Sequence, residues 1–469
     1  MTDDTLLGLA RNPALPADLL AYLLKGADDD LSDALAHRAD LTTSQALALF
    51  ERRGTNVVWP LLGNGLHSGI RSDDPWVGLA VLDHPGADPG WIPRIARGED
   101  AIARSELATR FPLPPDIARL LAEDDELDVV LSVARCQPSL EPDLAADLAR
   151  HPHAAVRAAL AGNESASPDL LRSLFDGTPE ACYACRGEPD RQTHRWCDGE
   201  HDGAILDIRL ALTYNPSAPP DVLNAVPRDG MFAWALAERT DLPNDVYAEL
   251  TRDRMPGVRH ALANNPAAAG LIPLLLVDSS QEMKREIALN PEVPLDLLAE
   301  LAPQTRIGTI APRILSATEA ELRTLAESPV AQVRRIVAAR PDLPADLIDR
   351  FADDTDAGVA RWIAVHPRLS PDQLRGLAAR FGHPLYARIA QNPHCPADLV
   401  NTIAADPETP LKARRLIAAH PGLAVESIVD LLADPGGRVT EAAAANPSLP
   451  VTEMMRLLPT MEAERGDNE

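Results

Sequence analysis

The chain has 469 residues and a formal net charge of −26, and 45% of its residues are hydrophobic although only 4% are aromatic. A chain this acidic repels polyanions. Nucleic acid is therefore a poor partner unless a local stripe of basic residues binds it. No apolar run approaches the roughly eighteen residues of a membrane span, and the start, MTDDTLLGLARNP, lacks the regions of a secretory signal. We therefore expect a cytoplasmic protein without a membrane segment.

The N-terminal region, residues 1–175, opens with the unit LARNPALPADLLAYLL. Proline disfavours helical geometry in the residue before it, but it costs no hydrogen bond in the first turn of a helix. The unit therefore predicts a short first helix that ends before one proline and a second helix that begins at the next. Copies such as ATRFPLPPDIARLLA continue this frame, which is irregular over residues 51–100.

Residues 176–204 interrupt the frame with the segment TPEACYACRGEPDRQTHRWCDGEHDG, which holds three of the five cysteines. It has almost no apolar residues, so burial cannot fold it, whereas structural zinc organises such segments through thiolate and imidazole ligands. The predicted ligands are Cys182, Cys185 and Cys197 with either His194 or His201. We predict a zinc knuckle here. An iron–sulfur cluster, another redox role, or no metal at all are the alternatives.

Residues 205–458 repeat most regularly, with a period of about 26 residues. The unit RRIVAARPDLPADLIDRFADDTDAGV (334–359) precedes ARWIAVHPRLSPDQLRGLAARFGHPL (360–385). Large aliphatic residues lie eight and four positions before the central proline, on one helical face. Neither helix is long enough to persist alone, so about sixteen units along the chain must stack to bury a continuous thin core. The predicted fold is an all-α solenoid.

Single positions of the repeat carry further predictions. The residue before the central proline is usually Asn or His, as at Asn392 and His366, which predicts a polar ladder at the ends of the first helices. Cys395 occupies a position where Leu is usual, and we interpret it as a small buried hydrophobic residue. The acidic end over residues 459–469 is expected to be disordered.

The pattern Val-Arg-x-x-Val-Ala-x-Asn-Pro-x-Leu-Pro-x-Asp-Leu-Leu resembles the variant leucine-rich repeat (LRV) family of bacteria, most closely at 156–175, 258–277 and 333–458. The resemblance implies a right-handed superhelix without strands, in which each unit has one α-helix and a second helix that is often 3₁₀. Some members of that family carry an iron–sulfur cluster on an N-terminal cysteine motif. No cysteine precedes Cys136 here, so that motif cannot be transferred to this chain.

A column of arginines recurs six or seven positions before the central proline. Its candidate partner-binding members are Arg157, Arg209, Arg259, Arg334, Arg361 and Arg414. Stacked repeats would set these cations about 9 Å apart, which would suit a groove for an anion or an acidic partner. The alternative is that each arginine pairs with acids of the loops between helices, such as Asp353, Asp354 and Asp356.

No phosphate loop, nucleophile elbow or dinucleotide fingerprint occurs, so we expect no enzymatic activity. The sequence favours a non-enzymatic helical-repeat scaffold that binds a protein or peptide partner and carries a structural zinc knuckle. A metal- or redox-responsive regulator using the cysteine cluster is a second hypothesis. A helical-repeat nucleic-acid-binding protein using the arginine stripe is a third, which the net charge disfavours.

Overall fold

A computed structural model describes residues 3–63, 72–176, 204–277 and 280–458 of the chain. It divides the chain into two compact units, one formed by Met1–Ile70 with Pro294–Glu469 and the other by Arg71–Val293. Within the four described ranges the regular secondary structure is entirely helical and arranged in repeats, which confirms the predicted fold class. The predicted tail 459–469 and all but the two ends of the predicted insert 176–204 lie outside the described residues.

The helices are short and follow one another at close intervals. The first five, in the first unit, are α1 (Asp3–Arg11), α2 (Ala17–Gly26), α3 (Asp29–Ala36), α4 (Thr43–Arg53) and α5 (Thr55–Gly63). The second unit contains α6 (Pro75–Leu82), α7 (Trp91–Ala96), α8 (Ala101–Arg110), α9 (Pro115–Ala122), α10 (Leu127–Cys136), α11 (Pro142–Ala149), α12 (Ala154–Ala161), α13 (Pro168–Asp176), α14 (Ala204–Tyr214), α15 (Pro220–Ala225), α16 (Gly230–Glu238), α17 (Asn244–Leu250), α18 (Pro256–Asn264), α19 (Ile272–Leu275) and α20 (Gln281–Leu289). The first unit resumes with α21 (Leu295–Leu301), α22 (Pro312–Leu315), α23 (Glu319–Ala326), α24 (Ala331–Ala338), α25 (Ala345–Ala352), α26 (Ala357–Ile363), α27 (Pro371–Phe381), α28 (His383–Ile389), α29 (Ala397–Ala404), α30 (Leu411–Ala418), α31 (Val425–Leu431), α32 (Gly437–Ala444) and α33 (Val451–Arg456).

Helices α24 and α25 illustrate how the sequence forms one repeat. The first helix buries Val333 and Val337 on one face and ends before Pro341. The second begins directly after Pro344 and buries Phe351, which is fully enclosed. An aspartate in the first turn of this helix complements its positive end. Burying one such large side chain stabilises the fold by about 1.5–3 kcal/mol, so the stability comes from packing rather than from helix propensity.

The first helices of successive repeats pack side by side. In the first unit α24 packs on α26, α26 on α28, α28 on α30 and α30 on α32. In the second unit the same series runs from α8 through α10, α12, α14, α16 and α18 to α20. Each repeat therefore covers the apolar face of its neighbour, as stacked repeat proteins require.

The N-terminal repeat continues the C-terminal stack, because α1 packs on α32 as well as on α3. Gly8 allows this close approach, since a Cβ atom there would overlap the Glu441 carbonyl group of α32. An ion pair between Arg11 and the Glu441 side chain joins the same two helices. The repeat period did not predict this contact.

The stack is also continuous across the segment that interrupts the repeat frame. Helices α12 and α14 pack directly on each other although residues 177–203 lie between α13 and α14 in sequence. The side-chain amide of Asn215 donates to the carbonyl oxygens of Ala161 and Asn163, both at 2.8 Å. The two bonds of Asn215 join residues 54 and 52 positions apart in sequence, whereas the equivalent bonds of Asn392 join residues 28 and 26 positions apart. The longer separation corresponds to the inserted segment.

The helix types differ in part from those that the family resemblance implied. The second helices α25, α27, α29 and α31 are α-helical, and 3₁₀ geometry occurs at Pro266–Leu271. Within the described ranges, no helix combines the length and the apolarity needed to cross a bilayer.

Candidate functional site

The asparagines of the predicted polar ladder join neighbouring repeats. The side-chain amide of buried Asn392 donates to the carbonyl oxygens of Ala364 and His366, both at 2.9 Å, and its Oδ1 accepts from the His394 amide at 2.9 Å. The same pair of amide bonds recurs at Asn12, Asn163, Asn215, Asn265, Asn290 and Asn446. These side chains satisfy backbone groups at the ends of the first helices, so the ladder is structural.

Arginine fills the ladder position in three repeats. Arg340 Nη1 donates to the carbonyl oxygens of Ile314 at 2.9 Å and Ala317 at 2.6 Å, and its Nε contacts Asp342 Oδ1 at 2.6 Å. The hydrogen bond from Arg340 holds the pKa of Asp342 below its ordinary value. Arg38 with Asp40 and Arg239 with Asp241 repeat the arrangement. Sequence reasoning missed these residues, although an Arg-x-Asp pattern marks all three.

Most of the predicted arginine column points back to the chain's own backbone. Arg334 binds both carboxylate oxygens of Asp354, at 2.6 and 3.0 Å, and donates to the Ser328 carbonyl oxygen at 3.0 Å. The others include Arg157 on the His151 carbonyl at 2.6 Å, Arg259 on the Asp253 carbonyl at 2.7 Å, Arg414 on the Thr409 carbonyl at 2.9 Å, and Arg209 at 5.1 Å from the Phe175 ring. These guanidinium groups mainly support the loop that precedes their own helix.

Arg361 is placed differently, in an open groove of the first unit. The cavity measures about 310 Å³ and is lined by four arginines, Arg306, Arg335, Arg361 and Arg388, together with Trp362. We call this set the arginine groove. Of the described residues that line it, none is Asp or Glu, although the carboxylate of Asp356 pairs with Arg335. Four arginines in one groove stand out in a chain of net charge −26.

Arg335 is oriented by the repeat that follows it. Its Nε donates to Asp356 Oδ1 at 2.9 Å, and the same oxygen caps α26 by accepting from the amides of Gly358 and Val359. Burial opposes ionisation of Asp356, but these hydrogen bonds keep its pKa below the ordinary value. The guanidinium lies over Gly358, where any Cβ atom would overlap it. The Arg335 side chain is still 41% exposed, so it remains available to a ligand.

Arg388 contributes a further cation to the groove, from α28. Its guanidinium carbon lies 6.0 Å from the centre of the Trp362 ring, at the outer limit of a cation–π contact. Arg361 and Arg306 are both exposed. Guanidinium groups bind carboxylate and phosphate groups with two parallel hydrogen bonds, so the groove can hold an anionic ligand with defined geometry.

The positive charge of the arginine groove is not a general property of the repeats. In the second unit, a cavity of about 410 Å³ is lined by Trp234, Glu238, Glu282 and Glu286. There Trp234 packs over Gly257, which occupies the same repeat position as Gly358. The two grooves therefore share a backbone frame and carry opposite charges.

The cysteines fall into two groups. Cys395 is buried, as predicted for a small hydrophobic residue in this position. Burial raises its pKa to about 11. The predicted metal ligands Cys182, Cys185, Cys197, His194 and His201 lie outside the described residues. Among the residues that are described, no three His, Cys, Asp or Glu side chains are grouped to hold a metal ion.

Comparison with known proteins agrees with the repeat pattern. Residues 331–356, which span α24 and α25, match the family model described as leucine rich repeat variant, and this confirms the resemblance at that repeat. No curated protein matches the chain. A crystal structure of an engineered protein is 14% identical over 95% of both chains, with a TM-score of 0.13. The match covers one repeat of the chain, and that repeat contributes Arg335 to the arginine groove.

Proposed function

We propose that the chain is a non-enzymatic helical-repeat scaffold that binds a protein or peptide partner in the arginine groove. One observation carries the proposal: four arginines converge on one open groove that no described acidic residue lines. Stacked repeats present continuous surfaces of this kind to their partners, and arginine is among the residues enriched at interfaces.

Two features of the groove support a role in partner binding. The whole chain repels acidic partners, so a local cluster of cations determines where such a partner can approach. Asp356 orients Arg335, and the Trp362 ring lies beside Arg388, so less side-chain freedom is lost when a partner binds.

The test is capture of partners from lysate of the native cell by the immobilised full-length chain. We expect at least one protein to bind the unmodified chain and to be lost with the double variant Arg361→Ala, Arg388→Ala. The matched control is Arg254→Ala, Arg285→Ala, which removes the same charge from exposed positions outside the groove. Capture that is equal with both double variants would refute the assignment of the groove.

We further propose that the insert at residues 176–204 holds a structural zinc ion through Cys182, Cys185, Cys197 and one of His194 or His201. The support is its composition, which leaves it without an apolar core of its own. The repeats on either side pack directly on each other, so the stack does not depend on the insert to join them. An iron–sulfur cluster or a redox role is the alternative for the same cysteines.

A further inference from the structure

We infer that the arginine groove binds its partner through a phosphorylated serine or threonine, whose phosphate dianion contacts the guanidinium groups gathered on α26. The inference rests on the proposed function and names the chemistry of the partner segment. It follows from where the cations meet and from the charge that they leave unbalanced.

Three guanidinium groups of the groove meet at one helix. Arg361 lies on α26 itself, and the guanidinium of Arg335 lies over Gly358 of the same helix. The guanidinium carbon of Arg388 lies 6.0 Å from the centre of the Trp362 ring, also on α26. Positions 361 and 362 are both neighbours of position 358 on the helix surface, about 5–6 Å from it. The cations therefore form a compact cluster on α26.

The cluster holds more positive charge than its own acid balances. The carboxylate of Asp356 pairs with Arg335 at 2.9 Å, so three cations and one anion leave a net charge of +2. Arg361 and Arg306 make no ion pair with any residue that the structure describes. Like charges this close repel one another, and a bound anion relieves the repulsion.

The charge and the number of donors match a phosphate monoester better than a carboxylate. A phosphoserine or phosphothreonine carries about −1.5 to −2 charges at pH 7 and has three acceptor oxygens. Each guanidinium offers several N–H donors in a fixed fork, so one phosphate can bind two or more of these groups at once. A carboxylate has a single charge and two oxygens, so it leaves part of the cluster unbalanced.

Apolar surface beside the cations favours a phosphate that is carried on a protein segment. Trp362 is half-buried and Ile336 is buried, and both line the groove. The residues that flank a phosphorylated side chain can pack on this surface, whereas inorganic phosphate gains nothing from it. A nucleic acid brings many phosphodiesters, and the net charge of −26 repels it more strongly than it repels a short segment.

The test measures binding of the full-length chain to three dye-labelled pools of nonapeptides by fluorescence anisotropy. All positions are random except the central one, which is phosphoserine, serine or glutamate. We expect the phosphoserine pool to bind at least tenfold more tightly than the glutamate pool, and the serine pool not to bind. Inorganic phosphate should compete at least tenfold less well than the unlabelled phosphoserine pool. Equal competition would assign the site to the free anion and overturn the inference.

Variants then locate the binding site. Arg361→Ala should weaken binding of the phosphoserine pool at least tenfold. Gly358→Ala changes no charge, but its Cβ atom would displace the guanidinium of Arg335, so binding should weaken at least threefold. Because that guanidinium is the end of a flexible side chain, the helical circular dichroism should be retained. Arg254→Ala, at an exposed position outside the groove, should leave the affinity unchanged.

The outcomes separate the inference from the proposed function. Equal affinity for the phosphoserine and glutamate pools, lost in Arg361→Ala, would overturn the inference and leave the proposed function intact. Capture from lysate that survives phosphatase treatment but is lost with the double variant Arg361→Ala, Arg388→Ala would do the same. If a single-stranded oligonucleotide binds the groove and none of the peptide pools does, both the inference and the proposed function are wrong.

Discussion

The side-chain amide of Asn12 donates a hydrogen bond to the carbonyl oxygen of Asn446, 2.7 Å away and 434 positions later in the chain. A second bond from the same amide reaches the Ala444 carbonyl oxygen at 2.9 Å. Asn392 makes the same two bonds inside the stack. The first repeat is therefore held on the last in the way that interior repeats hold one another.

The first prediction concerns this contact. Asn12→Ala should lower the free energy of unfolding of the first unit by about 2–4 kcal/mol, because two carbonyl oxygens and the Ala14 amide each lose a partner. Asn392→Ala, the control inside the stack, should lower the free energy of unfolding by about the same amount. Urea denaturation followed by circular dichroism measures both. An effect of Asn392→Ala without one of Asn12→Ala would show that the first repeat frays in solution.

The regular part of the fold could be predicted because its cause is local. Val333 and Val337 mark one face of α24, and Pro341 marks its end, and all three lie within a few residues of one another. The contact of α1 with α32 could not be predicted in this way. Every repeat offers nearly the same two surfaces, so the period does not reveal which copies meet.

The candidate site could be predicted only in part, for a similar reason. Arg334 and Arg335 are neighbours of the same type, and a helix turns them about 100° apart. Arg334 binds Asp354, and Arg335 reaches the groove because Gly358 in the next repeat leaves room for it. The direction of each side chain therefore depends on residues twenty or more positions away, which the column of basic residues does not show. Of the predicted column, Arg361 is the member that lines the groove.

The second prediction separates these two kinds of arginine. Arg334→Met should destabilise the first unit by about 2–4 kcal/mol, because it leaves the carboxylate of Asp354, which is only 7% exposed, without its cation. Arg361→Met should change stability by no more than about 0.5 kcal/mol, since that side chain is exposed. Urea midpoints at pH 7.5 distinguish them. Equal destabilisation by the two substitutions would contradict this division.

The third prediction is a pH dependence at His366. Burial lowers its pKa below the ordinary value, and the charge of Arg368 acts in the same direction while that of Asp342 opposes it. The folded state therefore favours the neutral ring. The stabilisation is complete above about pH 6.5, the ordinary histidine pKa, and is lost as the pH falls below it.

His366→Asn tests this dependence with the residue that other repeats carry at the ladder position. The variant should lose less stability than the unmodified chain when the pH is lowered from 7.5 to 5.5. Part of the loss should persist, because burial also lowers the pKa of His420. Urea midpoints at the two pH values provide the measurement, and an unchanged difference between them would exclude His366 as its source.

The fourth prediction concerns thiol reactivity. At pH 7.5 Cys395 should react with a maleimide at least about tenfold more slowly than Cys136, because its thiol is buried and its pKa is raised to about 11. Mass spectrometry of peptides gives the rate at each site. In urea the two rates should converge, and a persistent difference would mean that burial is not the cause.

The fifth prediction concerns metal content. The purified chain should carry about one zinc ion per molecule, and Cys182→Ser with Cys185→Ser should remove it without loss of helical circular dichroism. Elemental analysis and an absorption spectrum distinguish zinc from an iron–sulfur cluster. Cys136→Ser is the control and should retain the metal. Unchanged zinc in the double variant would show that these thiols are not its ligands.

The direct packing of α12 on α14 has a consequence for how such a chain can change through evolution. The bonds from Asn215 to Ala161 and Asn163 tie the flanking repeats together independently of the sequence between α13 and α14. That segment can therefore be lengthened, shortened or exchanged without altering the register of the repeats. A chain of this design can gain or lose a cysteine-rich module at this junction while the rest of its architecture is inherited unchanged.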